Sequence, residues 1–285
     1  MNKRIVRPII IPLHFGANAK GIELGADFVK ENLENYILLP EVEIKDQHQD
    51  DSLKNLSTVV ATNQLLSTAI SSIYQAGEFP LVIGGDHSVA LGSISAVATL
   101  EEDLGVIWVD AHGDFNTAKT SESGNIHGMI LAALVGMGEE SLVKLHVDQV
   151  KIKKENVVIF GVRDLDEGEK ALLDRLEVKY LPYSYIIKIG LVNALQEVVD
   201  YLSPRIKQLH ISIDLDSLDP KIIPGVSVPV SNGFKKDDVI TIVKALFTNF
   251  TISSSDIVEY NPLLDSEDKT LNFLLLLVEL FKKLV

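Results

Sequence analysis

The stretch Val106-Ile-Trp-Val-Asp110-Ala-His112-Gly-Asp114-Phe-Asn116 passes from four apolar residues straight into an Asp-x-His-x-Asp tail. A short continuous apolar run followed by polar residues suits a strand buried on both faces. Side chains two residues apart on an extended backbone point to the same side. Asp110, His112 and Asp114 therefore present three metal-competent groups together, on a backbone that the buried strand holds still, as a coordination site requires. For one aspartate alone, a loop after a strand explains the pattern as well. Whether the pattern recurs decides between the two.

It does recur. Leu81-Val-Ile83 runs into Gly-Gly-Asp-His87-Ser, Leu209-His-Ile-Ser-Ile213 into Asp214-Leu-Asp216-Ser-Leu-Asp219-Pro220, and Ile257-Val258 into Glu259-Tyr-Asn-Pro262. Further strands are expected at Ile9 to Leu13, Val157 to Phe160, Val178 to Leu181 and, for the last of the four, from Asp256 to Val258. Helices are expected at 22–35, from Leu53 to Gln75, after His87 to about Leu100, and around 129–135, 167–176, 191–202, 237–247 and 268–284. In the Leu53 helix, Leu56, Val59, Val60, Leu66, Ile70 and Ile73 recur at helical spacing, and Gly77 and Pro80 close it. Residues 37–52 read as acidic and irregular. Strands alternating with helices specify an α/β fold whose mostly parallel central sheet is covered on both faces. No repeat or linker divides the chain, so 1–285 is read as one domain.

Composition narrows the chemistry. The formal net charge is −14, from 40 acidic and 26 basic side chains, which repels phosphate backbones and argues against nucleic acid as a partner. There is no cysteine, so any metal must be held by imidazole, carboxylate or water. Arg7, Pro8 and Pro12 interrupt the apolar N-terminus, which is read as a strand and not as a secretory signal. The apolar run Leu274 to Phe281 is too short to span a bilayer and carries Glu279. No membrane association and a cytoplasmic location are expected.

In open parallel sheets, function gathers beyond the carboxyl ends of the strands. There the four clusters bring two imidazoles and four carboxylates to one edge, enough for two metal ions. A ligand set this rich in carboxylates favours Mn²⁺ or Mg²⁺. Four aspartates against two dications and a hydroxide leave a charge of roughly −1, suited to a cationic substrate.

Gly-Gly-Asp-His87-Ser, Asp110-Ala-His-Gly-Asp114, Gly-Asn125-Ile-His127-Gly, Ser212-Ile-Asp-Leu-Asp-Ser-Leu-Asp-Pro220 and Glu259-Tyr-Asn-Pro262 stand in the order seen in the ureohydrolase family. That family includes arginases, agmatinases and formimidoylglutamases, and the resemblance covers nearly the whole chain. It implies a three-layer α/β/α sandwich with two Mn²⁺ ions per subunit. One ion would be held by His87, Asp110, Asp114 and Asp214, the other by His112, Asp110, Asp214 and Asp216. Two ions roughly 3.5–4 Å apart can share one water and lower its pKa. The implied reaction is addition of a metal-bridging hydroxide to a guanidino carbon, with Asp114 taking up or relaying a proton. Glu259 matches the glutamate that pairs with the guanidinium, and His127 the histidine at the site entrance that shuttles protons.

The loop 116–125 resembles the arginase loop that binds the substrate carboxylate, with Asn116, Ser123 and Asn125 at matching positions. In Val162-Arg-Asp-Leu-Asp166-Glu-Gly-Glu169, Asp166 matches the acid that receives the α-amino group, with Glu169 assisting through water. These loops favour L-arginine, with agmatine or formimidoylglutamate as the alternative substrates. Pro224-Gly-Val-Ser-Val-Pro229 departs from the Gly-Thr-Pro usual in arginases and looks more like formimidoylglutamases, and Ala26 stands where the family usually has proline. Family resemblance also implies a homo-oligomer, a trimer or hexamer.

Two readings of other classes are weighed beside this one. A dinuclear phosphoesterase would spread its blocks along the chain and add a Gly-His-x-His, which is absent. A non-catalytic assembly protein with a structural metal has no need of His127 and Glu259. The remaining histidines, His14, His48, His146 and His210, are read as structural or surface residues. Trp108 is read as core, and Asp219-Pro220 as a turn.

Overall fold

A computed structural model describes residues 3–44 and 52–285. Its eight strands are β1 (Val6–Ile10), β2 (Ile37–Leu38), β3 (Phe79–Ile83), β4 (Leu104–Val109), β5 (Val157–Phe160), β6 (Lys179–Leu181), β7 (Gln208–Asp214) and β8 (Ile252–Val258). All pair in parallel within one sheet, ordered β2-β1-β3-β8-β7-β4-β5-β6. The helices are α1 (Ile22–Glu31), α2 (Leu56–Gln75), α3 (Ala90–Ala98), α4 (Ile130–Leu134), α5 (Glu140–Val143), α6 (Glu167–Leu176), α7 (Tyr183–Ile189), α8 (Leu191–Leu202), α9 (Lys236–Asn249) and α10 (Lys269–Leu284).

Helices cover both faces of the sheet, as the continuous apolar strands require. On one face Ile107, Val109, Ile211 and Ile213 meet Val198 of α8, Val243 of α9 and Leu277 of α10. On the other, Val106, Trp108 and Ile159 meet Leu66 of α2, Ile94 of α3 and Ile130 of α4. This is the three-layer α/β/α arrangement. The core strands β3, β8, β7 and β4 are adjacent, so the polar segments that follow them are brought to one edge.

Several boundaries differ from the sequence reading, each for a physical reason. β1 lies earlier than expected, because pairing with β3 runs from Val6↔Phe79 to Ile10↔Ile83 and leaves 11–13 as loop. β3 includes Pro80, which precedes the pairing with β8 that starts at Leu81. β8 begins at Ile252 and not at Asp256. Its three serines are satisfied inside the sheet, Ser253 Oγ on Leu209 O at 3.1 Å, Ser255 Oγ on Ile211 O at 2.6 Å, and Ser254 Oγ against His210 Nδ1 at 2.7 Å. The short β2, α5 and α7 carry too few periodic residues to announce themselves. Of the irregular segment 37–52, residues 45–51, with His48, lie outside the described residues.

Candidate metal centre

The carboxyl ends of β3, β4 and β7 converge on His87. Its Nδ1 lies 2.9 Å from Asp110 Oδ2, 3.0 Å from Asp114 Oδ2 and 3.1 Å from Asp214 Oδ2. Beside it, His112 Nδ1 stands 3.0 Å from Asp216 Oδ2 and 3.5 Å from Asp110 Oδ1. Among the described residues, His87–Asp110–Asp214 and Asp110–His112–Asp216 each offer ligand atoms within 4.8 Å of one another, with Asp110 common to both. Apart from His112, which is partly exposed, these side chains are buried.

Local backbone design holds the groups in place. Asp110 Oδ1 accepts from His112 N at 2.7 Å, and Asp214 Oδ1 from Asp216 N at 2.7 Å, so the equal spacing of the two motifs gives equal turns. Asp114 and Glu259 adopt left-handed backbones, with φ of 48° and 68°, which concentrate at functional sites in residues other than glycine. Gly85 has φ of 78°, and a Cβ there would meet Val89 Cγ1 at 2.7 Å. Trp108 is core, as expected, and its ring also stacks on His87 with centroids 3.8 Å apart.

Four carboxylates crowding two imidazoles is an unbalanced arrangement. Burial raises Asp214 well above the ordinary carboxylate value, assisted by Asp216 and Asp110, and raises Asp216 to about 6. Against their own burial, the surrounding carboxylates hold His87 and His112 well above the usual imidazole value. His87 Nδ1 and Asp110 Oδ2, which face each other, are buried without a hydrogen-bond partner of good geometry. Unsatisfied buried donors and acceptors of this kind, on a hard His/Asp donor set, fit divalent cations.

Above the cluster is a cavity of about 300 Å³, lined among others by His112, Asp114, Asn116, Ser123, His127, Asp166, Glu169 and Val228. His127 Nδ1 lies 2.9 Å from Glu259 Oε1, which also accepts from His87 N at 2.9 Å, while Glu259 Oε2 is buried and unpartnered. Burial lowers the His127 pKa, but the Glu259 hydrogen bond and nearby carboxylates outweigh it and raise the value to about 9. Glu169 is pushed up to about 8 by burial, though it accepts from Phe115 N. Asn116 Nδ2 donates to Asp166 Oδ2 at 2.9 Å and leaves its own Oδ1 free. Asn125 and Glu259 do not line the cavity; Asn125 donates to Ala17 O and ties the loop to the segment after β1.

Sequence reasoning missed three supports. Asp86 accepts from Ala17 N and Ser88 N and caps the short turn carrying His87, a role the N-cap chemistry of Asp-His-Ser could have signalled. Ser212 touches His87 Nε2 at 2.7 Å. His210, read as structural or surface with no link to the site, is structural: it is fully buried on Asp256, at 2.9 Å. His14, by contrast, pairs with Glu41 at 3.1 Å, and His146 with Ser67 at 3.1 Å, as structural residues do.

A parallel α/β/α sandwich with two His/Asp clusters sharing one aspartate at the strand ends defines a metal-binding protein. The arginase family model matches residues 9–281, and the chain belongs to that family. It is 39% identical over 274 residues to the arginase of Bacillus caldovelox, covering 91% of this chain and 92% of that one. The arginase of Bacillus subtilis (strain 168) is 39% identical over 278 residues, covering 94% of each chain. The crystal structure of the Bacillus caldovelox arginase superposes with a TM-score of 0.90, at 37% identity, over 99% of this chain and 98% of that one.

Proposed function

We propose that this chain is an arginase, hydrolysing the guanidino group of L-arginine with one water to give L-ornithine and urea. The carrying observation is the pair of His/Asp clusters joined at Asp110 beneath an acidic cavity. His87, Asp110, Asp114 and Asp214 would hold one Mn²⁺, and His112, Asp110, Asp214 and Asp216 the other. When bound, the two ions neutralise the aspartates and acidify the water that attacks the guanidino carbon.

The chain's own groups do the rest. Glu259, whose Oε2 lacks a partner, offers a carboxylate to the planar cation. Asp114 takes the proton released on attack and passes it to the departing nitrogen as the carbon–nitrogen bond breaks. His127, held by Glu259, can deliver a proton to the product amine. At the rim, Asn116 and Ser123 would read the α-carboxylate, with Asn125 bracing their loop through Ala17 O, and Asp166, with Glu169 through water, the α-amino group. Agmatine and formimidoylglutamate would leave one or both of these rim sets unmatched.

The finer proposals are that residues 1–285 form one domain, that the enzyme works in the cytoplasm as a homo-oligomer, and that it binds neither nucleic acid nor membranes. No helix among the described residues is long and apolar enough to cross a membrane. The test is urea release from L-arginine, agmatine and guanidinobutyrate, and formamide release from formimidoylglutamate, by Mn²⁺-loaded protein. Preference for L-arginine supports the proposal, and no urea from any guanidino compound sinks it.

A further inference from the structure

The strand β7 places His210, Ser212 and Asp214 on one face, two residues apart. Its neighbour β8 sets Ser254 opposite His210 and Asp256 opposite Ser212. The result is a continuous buried polar chain within the sheet: Ser254 Oγ, His210, Asp256, Ser212 Oγ and His87 Nε2. Ser93, from α3, adds a hydrogen bond to Asp256 Oδ2 at 2.7 Å. Every one of these side chains is buried, and none of their atoms in the chain lacks a partner.

The donor and acceptor inventory gives this chain a direction. Burial opposes the Asp256 charge, but the His210 imidazole and the Ser212 hydroxyl outweigh it and hold its carboxyl below the ordinary value. An ionised carboxylate only accepts, so Ser212 must spend its single hydroxyl hydrogen on Asp256. Ser212 can then meet His87 Nε2 only as acceptor, which places a hydrogen on Nε2. In the neutral imidazole that leaves Nδ1 as a bare lone pair, and Nδ1 is the atom facing Asp110, Asp114 and Asp214. Trp108, stacked on the ring, stops it from turning.

We infer that Asp256, braced by His210 and Ser93, acts through Ser212 to fix the tautomer and orientation of His87, making these residues positioning groups for the metal. This rests on the dinuclear reading of the site. A histidine ligand whose far nitrogen is held by a polar partner keeps its ring aimed, and loss of such partners typically costs 10–100-fold in metal affinity. In Asp256→Asn the amide can donate to Ser212, so the serine hydrogen is free to turn towards His87 and favour the wrong tautomer.

The test is a double-mutant cycle read as Mn²⁺ binding to metal-free protein by chelator competition, with S212A, D256N and the combined variant. Each single variant is expected to weaken the tighter or the weaker Mn²⁺ step by about 10–100-fold. The combined variant should bind no worse than S212A, because Asp256 then has no serine to act through. Wild-type affinity in D256N, or fully additive losses in the double variant, overturns the inference. Failure of the wild-type protein to bind Mn²⁺ would instead overturn the dinuclear reading. If D256N yields no folded protein, H210L carries the same cycle, with a loss expected in the wild-type background and none beside S212A.

Discussion

Two carboxylate–imidazole clusters share the strand β7, one at its end and one within it, and they are built on opposite terms. At the end, Asp110, Asp114, Asp214 and Asp216 surround His87 and His112, and the facing atoms His87 Nδ1 and Asp110 Oδ2 lack hydrogen-bond partners. Within the sheet, Asp256 alone faces His210 and collects further donors from Ser93 and Ser212, with no atom left over. The first is short of positive charge; the second is balanced. A buried His/Asp pair is therefore no sign of a metal in itself. Excess carboxylate, and orphaned atoms that point at one another, are the sign.

This contrast can be broken most forcefully by Asp114→Ala. Metal and activity should fall together, with kcat/KM down on the order of 10³-fold, about 4 kcal/mol of transition-state stabilisation. Full turnover in that variant removes Asp114 from both roles.

Next come the stabilities of the metal-free proteins, read as thermal midpoints, where the two clusters should respond with opposite sign. Asp256→Asn unpairs His210 inside the sheet and should cost about 3–5 kcal/mol. Asp214→Asn relieves repulsion and should stabilise by about 0.5–2 kcal/mol, as functional sites commonly do when their strained charges are removed. Destabilisation by both alike would mean the outer cluster needs no cation.

The pH response follows from the same imbalance. In the metal-free protein His87 and His112 titrate above the ordinary value, His127 near 9, Glu169 near 8 and Asp216 near 6. All are raised, so the native state holds more protons than the unfolded chain, and stability must fall as pH rises from about 4 to about 9. Asp110 and Asp256 are lowered and act with opposite sign, but only near and below the ordinary carboxylate range. Saturating Mn²⁺ should flatten or reverse the slope, since bound metal displaces those protons. A pH-independent midpoint without metal contradicts the charge excess.

The smallest effect is expected at Val228, the only hydrophobic side chain among the described residues lining the cavity and part of the loop that departs from the usual arginase pattern. Val228→Ser should lower kcat/KM for L-arginine by roughly tenfold, through lost contact with the substrate's methylenes. An unchanged ratio between L-arginine and agmatine would leave the rim, not this wall, as the discriminating surface.

The same contrast explains what could be read from the amino acids. The outer cluster was legible because its residues are consecutive with strand ends and share a spacing: Asp110 and His112 mirror Asp214 and Asp216. The parallel sheet was legible from the apolar runs at 106–109 and 157–160. The inner chain was not. His210 and Asp256 meet only across the β7–β8 register, and Ser253-Ser-Ser255 lacks the apolar or alternating pattern that marks a strand. Nothing local tells a serine that caps a carbonyl from one in a loop, so β8 looked shorter than it is and His210 looked idle. Glu259 was read from its motif, but its bond to His127 is a tertiary contact that no spacing encodes.

The central claim is that the charge excess at the end of β7 exists to be filled by two cations. Equilibrium dialysis of metal-free wild-type protein against Mn²⁺ tests it directly. Two ions bound per chain, both lost in Asp110→Ala, is the predicted result; one ion, none, or binding that survives that substitution would contradict it.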